Sequence, residues 1–367
     1  LFWKTVFYLN KKVNFFKGLF LMEFFKDFSR FSKGFENCIT TLDSHTEGET
    51  TRLILDGLGE IKGKTMMDKL EWFESRHDNV RSLLTKEPRG SKEVLAALVT
   101  ENVTKDAKFG LIYMDAKRYP YLCGHATIGA VASLAQTGFL KLEPGENSVL
   151  IDTPSGRMDA RVSVKDGKIS PVAIHMVPSF VYKTGQEIQV KGYGSIRVDL
   201  VCTGGFFAMV DIRQLDMEPV LENKEFLTDL GMKIIDAANA QLEIFHPVRP
   251  DINTIDVTEF YSSKHDGDMA SGSGMVIYGE SHADRSPCGT GTAAKLVLLH
   301  HYKKINMNEK YINYSPLGTF FDAMLVKKEK IGPKDGYVVQ IRGRAYLTGV
   351  HHFIVEKNDP FQKGFMM

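Results

Sequence analysis

The chain has 367 residues, 43% of them hydrophobic and 25% charged; this supplies a large core and excludes both a disordered chain and one small module, and the length points to two domains. Lys and Arg total 46 against 45 Asp and Glu, a net charge of +1, which gives no electrostatic reason to expect nucleic acid or an anionic membrane, so a small-molecule partner is expected. Cys38, Cys123, Cys202 and Cys288 lack Cys-x-x-Cys spacing, which excludes a zinc ribbon or dithiol motif and, at this size, a disulfide scaffold.

Residues 1–35 crowd Phe2, Phe7, Phe15, Phe16, Phe20 and further phenylalanines among Lys4, Lys11, Lys12, Lys17 and Lys26. The lysines break every apolar run short of the ~20 residues that a spanning helix needs, and no small-residue cleavage site follows. A membrane-surface helix, a targeting segment, or upstream sequence ahead of a start at Met22 would each fit, and the last is the expectation. With no span and no signal peptide read, a cytoplasmic location is expected.

Organised sequence begins near Cys38. Short β-rich runs at residues 109–114, 149–152 and 196–201, separated by Gly, Pro and Asp turns, predict strands. Helical spacing covers residues 66–84, 124–136, 223–242 and 289–303, so the fold class is α+β. Neither a GxGxxG fingerprint nor a GxxxxGK[ST] loop stands where a strand would feed a helix, which argues against nucleotide chemistry.

One internal match is informative. Cys123-Gly-His-Ala-Thr-Ile-Gly-Ala-Val-Ala-Ser-Leu134 aligns without gaps to Cys288-Gly-Thr-Gly-Thr-Ala-Ala-Lys-Leu-Val-Leu-Leu299. A lone Cys-Gly pair reads as a buried core thiol, but two in matching contexts point to a duplicated pair of halves. Ahead of the second cysteine, Ser286 suits an N-cap and Pro287 the first helical position, which places Cys288, Gly289 and Thr290 in the opening turn. By the match, Cys123, Gly124 and His125 open the first helix. Orphan backbone N–H groups and the helix dipole there are expected to lower a cysteine pKa from ~8.5 toward neutrality, and Gly124 and Gly289 to admit a ligand to the backbone.

Two such ends facing each other would cradle a carboxylate and leave its α-carbon between two sulfurs. A thiolate can then remove the α-proton while a thiol delivers one to the opposite face, inverting the stereocentre without any cofactor. Cys123 and His125 alone do not supply four zinc ligands, and no metal is expected.

At these residues the sequence resembles the proline racemase family. The resemblance runs through Asp43-Ser-His-Thr-Glu-Gly-Glu49, Glu87-Pro-Arg-Gly90, Cys123-Gly-His125, Asp284-Arg-Ser-Pro-Cys-Gly-Thr-Gly-Thr292, Gly343-Arg-Ala-Tyr346 and Asp359-Pro-Phe361. It implies two pseudo-symmetric α/β halves, each a sheet wrapped around a central helix in the diaminopimelate epimerase manner, with the active site in the cleft between them and commonly a homodimer. On that basis residues 36–190, completed by 350–367, form the first half and residues 191–349 the second, after an extension over 1–35. The resemblance makes Cys123 and Cys288 the acid/base pair. The amides of Gly124, His125, Gly289 and Thr290 would hold the substrate carboxylate, and Asp284 would receive the ring ammonium.

Family dehydratases typically carry Thr at the second cysteine, so Cys288 favours racemase or epimerase chemistry. The segment 246–257 looks like the proline racemase branch, with Val257 where hydroxyproline epimerases often have a polar side chain. Proline racemisation is the expected activity. The alternatives are 4-hydroxyproline 2-epimerase, then a trans-3-hydroxyproline dehydratase or a non-catalytic amino-acid-binding protein. Ser91, Ala126, Cys202-Thr-Gly-Gly-Phe206 and Arg118-Tyr-Pro-Tyr121 depart from the family pattern and bear on substrate identity. Cys202 is expected to be a buried, inert thiol.

Overall fold

A computed structural model describes residues 37–266 and 269–367; the expectation for residues 1–35 lies outside them. Four α-helices occur among the described residues: α1 (Met66–Thr85), α2 (Gly124–Gln136), α3 (Lys224–Gln241) and α4 (Gly289–His301). Each falls within a segment of helical spacing or departs from it by a residue or two. The strands Phe109–Met114, Gly145–Thr153 and Gly194–Cys202 cover the three strand segments read from the sequence.

The helices divide by what surrounds them. In α1, Thr65 caps the N-terminus by accepting from the Asp68 N–H while Asp68 accepts from the Thr65 N–H, a reciprocal capping box. Its Leu70, Phe73, Leu83 and Leu84 are buried in one apolar cluster with Ala96, Leu98 and Ile112 of the neighbouring strands. In α3 the buried residues are Leu227, Leu230, Gly231, Ile234, Ile235 and Ala238, the stripe of an outer amphipathic helix.

By contrast, α2 and α4 are buried on nearly every side, the signature of a central helix. The small residues of α2 make this possible. A Cβ on Gly129 would lie 3.1–3.2 Å from the hydroxyls of Thr51, Ser44 and Thr46, so the helix rests close on the first two strands.

All strands of the described residues join one hydrogen-bonded system of 18. Asn37–Thr46 pairs antiparallel with both Glu49–Asp56 and Ala345–Val355, so the last strand returns to the first described one. Phe180–Val190 and Gly194–Cys202 form an antiparallel hairpin on the α4 side, and the pairing of Lys334–Gly343 with Val172–His175 stitches that side of the sheet to the α2 side. The result is a mixed α+β fold with one helix wrapped by strands in each half. Among the described residues no helix is long and apolar enough to cross a membrane.

Candidate active site

The two central helices meet at their N-termini. A Cβ on Gly124 would lie 3.0 Å from the Gly289 Cα, and one on Gly289 would lie 2.9 Å from the Gly124 Cα. Real Cβ atoms essentially never sit as close to backbone as the second of these contacts, so a side chain at Gly289 would force the helix ends apart, and one at Gly124 would press hard on the same seam. The sequence suggested that these glycines admit a ligand; in the fold they first admit the two helices to each other.

Each cysteine is the N-cap of its helix. Cys123 caps α2 from extended backbone, with φ −145° and ψ 113°. Cys288 caps α4 with φ 57° and ψ 116°, and its sulfur accepts from the Gly291 N–H at 3.3 Å. This corrects the expectation that Ser286 caps α4 and Pro287 opens it. Ser286 Oγ instead accepts from the Cys288 N–H (3.1 Å) and donates to Asp284 Oδ1 (2.8 Å), so it is used in the turn before the helix.

Cys123, Gly124, His125, Asp284, Cys288, Gly289 and Thr290 line one cavity of about 360 Å³, so the fold brings together every site residue read from the sequence. Leu95, Phe207, Ile252, Val257 and Val276 form apolar wall, and Tyr278 joins them. Arg118, Tyr119, Pro120 and Tyr121 line the cavity from the loop before α2, and Thr203, Gly204 and Gly205 from the loop after Gly194–Cys202. Arg118 Nη1 reaches Asp256 Oδ2 at 2.8 Å, an ion pair between two lining segments. Ser91, Ala126 and Cys202 lie outside the lining. Cys202 is buried in an apolar cluster with Phe180 and Phe206, where burial pushes its thiol up to about 12.

Charge is concentrated beside Asp284. Burial first and then the negative charge of Glu49 raise the Asp284 carboxyl to about 7. Burial would raise Glu49 too, but the His282 hydrogen bond and charge, aided by His125 and Arg285, bring it down to about 2. The contacts are close: Glu49 Oε1 is 3.0 Å from His282 Nε2, and Glu49 Oε2 accepts from the Arg285 N–H at 2.9 Å and from Arg285 Nε at 3.1 Å. Glu49 and Arg285 stand inside sequence motifs quoted above yet received no role there, and His282 carried no signal at all.

The sulfurs answer to burial before anything else. Desolvation pushes both thiols well above the ordinary cysteine range, and the Asp284 charge adds to it in each case. Backbone N–H groups of His125 and Ala126 favour the Cys123 thiolate, and the Gly291 N–H and Thr290 hydroxyl that of Cys288, but they do not outweigh burial. The expectation of a lowered pKa is therefore corrected: removal from water costs more than the helix ends return. His125 Nδ1 lies 3.3 Å from the Cys123 sulfur, and burial drops this imidazole to about 4, so it is neutral near pH 7.

The family model described as proline racemase matches residues 41–366. A proline racemase of Clostridioides difficile is 37% identical over 333 residues, 91% of this chain and 99% of the relative. A 4-hydroxyproline 2-epimerase of Streptosporangium roseum is 34% identical, covering 89% of this chain and 97% of the relative. Among solved structures, a hydroxyproline epimerase from Agrobacterium vitis with bound trans-4-hydroxy-L-proline superposes with a TM-score of 0.84 at 27% identity, over 91% of this chain and 96% of that one.

Proposed function

Because this chain belongs to the proline racemase family and is an isomerase of its racemase and epimerase type, we propose that it inverts the α-carbon of free proline by proton transfer between Cys123 and Cys288. The observation that carries this reading is the pair of cysteine-capped helices, abutting at Gly124 and Gly289, that open on one cavity. The carboxylate lies across the two helix ends, held by the amides of Gly124, His125, Gly289 and Thr290. The ring ammonium lies against Asp284.

The electrostatics support this placement. Without a cation the buried Asp284 opposes thiolate formation at both sulfurs. An ammonium on Asp284 cancels that contribution, so binding of the zwitterion removes one of the costs of forming a thiolate while burial remains the larger one. That thiolate removes the α-proton, electron density moves onto the carboxylate under the helix N–H groups, and the opposite thiol supplies its proton to the other face. The spent thiol is now the thiolate, and the enzyme is poised for the other enantiomer.

Proline is favoured over its hydroxylated relative by the apolar wall of Phe207, Val257 and Val276, where an unpartnered hydroxyl would cost about 1–3 kcal/mol. Incubation of purified protein with L-proline and, separately, trans-4-hydroxy-L-proline in D2O, followed by optical rotation and α-deuterium, tests the proposal. Inversion with exchange on proline is expected. Inversion of hydroxyproline alone would assign the epimerase activity, water loss from a third sample of trans-3-hydroxy-L-proline a dehydratase, and binding without exchange a non-catalytic protein. A second copy of the chain is the proposed partner, supported by exposed Tyr346, Leu347 and Val350 on the strand Ala345–Val355; light scattering is expected to give twice the chain mass.

A further inference from the structure

Cys288 sits in left-handed backbone that L-residues rarely adopt, since φ is 57°. Such a conformation persists only where the surroundings over-determine it. The peptide plane between Pro287 and Cys288 sets that φ, and it is gripped on both sides. Its N–H donates to Ser286 Oγ at 3.1 Å. Its carbonyl, on Pro287, accepts from Asn313 Nδ2 at 3.0 Å and from Thr292 Oγ1 at 3.1 Å.

The Asn313 amide is itself held by hydrogen bonds at both ends. Lys295, fully buried on α4, donates from Nζ to Asn313 Oδ1 at 2.7 Å and to the Ser273 carbonyl at 2.9 Å. Thr292 Oγ1 gives its proton to the Pro287 carbonyl and so can only accept from Asn313 Nδ2, at 2.7 Å, which with Lys295 on Oδ1 turns Nδ2 toward Pro287. Glu259, also fully buried, lies 3.2 Å from Lys295 Nζ and provides the counter-charge. The carboxylate is wedged between glycines: a Cβ on Gly274 would meet Oε1, and one on Gly291 would meet Oε2, each at 2.7 Å. None of these side chains lines the cavity, and a buried Lys–Glu pair is an expensive way to fill a core.

We propose that Lys295 and Asn313 are positioning residues that lock the Pro287–Cys288 peptide plane, and so hold the Cys288 sulfur where it can exchange a proton with the substrate α-carbon. This rests on the reading of Cys288 as one of the two acid/base groups. Neither residue touches substrate; each acts through the backbone of the cysteine. Releasing the plane leaves the Cys123 side and the carboxylate cradle in place.

The test is Asn313→Ala, with Asn313→Asp as a near-isosteric partner that keeps an oxygen for Lys295 and loses the donor to Pro287. Steady-state racemisation, calorimetric binding of racemic proline, and α-deuterium exchange of each enantiomer in D2O are measured. Racemisation is expected to fall about 100-fold, as for a misplaced reacting group, while racemic proline binds within about twofold of the unaltered protein. One enantiomer, whose α-proton faces Cys123, should still exchange deuterium with retention faster than it inverts, and the other should not.

Equal loss of exchange from both enantiomers with binding retained, or racemisation at the unaltered rate, would overturn the assignment. If both Asn313 variants fail to fold, Lys295→Met combined with Glu259→Gln removes the buried charges together and carries the same readouts. Cys288→Ser measured in parallel separates the two levels. If that variant racemises normally the acid/base reading is wrong, whereas its failure alongside unaffected Asn313 variants would sink only the positioning role.

Discussion

Cys123 and Cys288 cap equivalent helices and share a cavity, yet their supports differ. Cys123 lies in ordinary extended backbone, its carbonyl accepting from Thr127 Oγ1 at 2.7 Å and its sulfur beside a neutral imidazole. Cys288 is held at positive φ by a turn whose carbonyl is gripped by Asn313 and Thr292. The gapless match of the two helices puts Ala130 where the second has Lys295, so the Lys295–Glu259 pair has no counterpart at that position of the first helix. Duplication supplied the helix and its cap twice. The surroundings that set each sulfur's geometry and protonation were built separately, so the proposed proton exchange would run between unlike ends.

The sharpest attempt to break this comparison is to remove either sulfur. Cys123→Ser and Cys288→Ser should each lower racemisation by about 10²–10⁴-fold, the range for losing a general acid or base. Full activity in either variant, measured by polarimetry, would end the two-base reading. Gly289→Ala comes next. Its methyl would meet the Gly124 backbone at 2.9 Å, so the helix ends must separate, and kcat should fall about 100-fold.

Asp284→Asn sharpens the electrostatic side and should raise KM about 10–100-fold through loss of a charged partner for the ammonium. It also has a pH signature. The Asp284 pKa is raised to about 7 in the fold, above the ~4 of an unfolded chain, so its ionisation penalty is absent below about pH 4, grows as pH rises, and is complete above about pH 7. The ligand-free Asn variant should therefore melt higher than the parent at pH 8 and no higher at pH 4, by calorimetry. Cys202→Ser should do least: activity within about twofold and a stability loss near 1 kcal/mol for a hydroxyl in an apolar site.

The positions of α1 to α4 were legible from hydrophobic spacing, and the internal repeat marked both cysteines, because a helix start and its cap are local patterns. The same local reading placed the cap of α4 on Ser286. That serine is drawn away by Asp284, a contact within the turn that spacing does not encode. His282 was silent because its role depends on Glu49, which lies 233 positions away in the chain and meets it only through the folded sheet.

The protonation of the site followed the same rule. Residue types and helix ends suggested lowered thiol pKa values, since the dipole is a property of the helix itself. Burial is a property of everything packed around it, and here it dominates. From the sequence alone came the duplicated Cys-Gly helix starts and the chemistry that two sulfurs flanking a carboxylate cradle can do. The tertiary structure decided how near those starts come, which backbone is strained, and which charges face the sulfurs, because distances across the chain and exclusion of water arise only on folding.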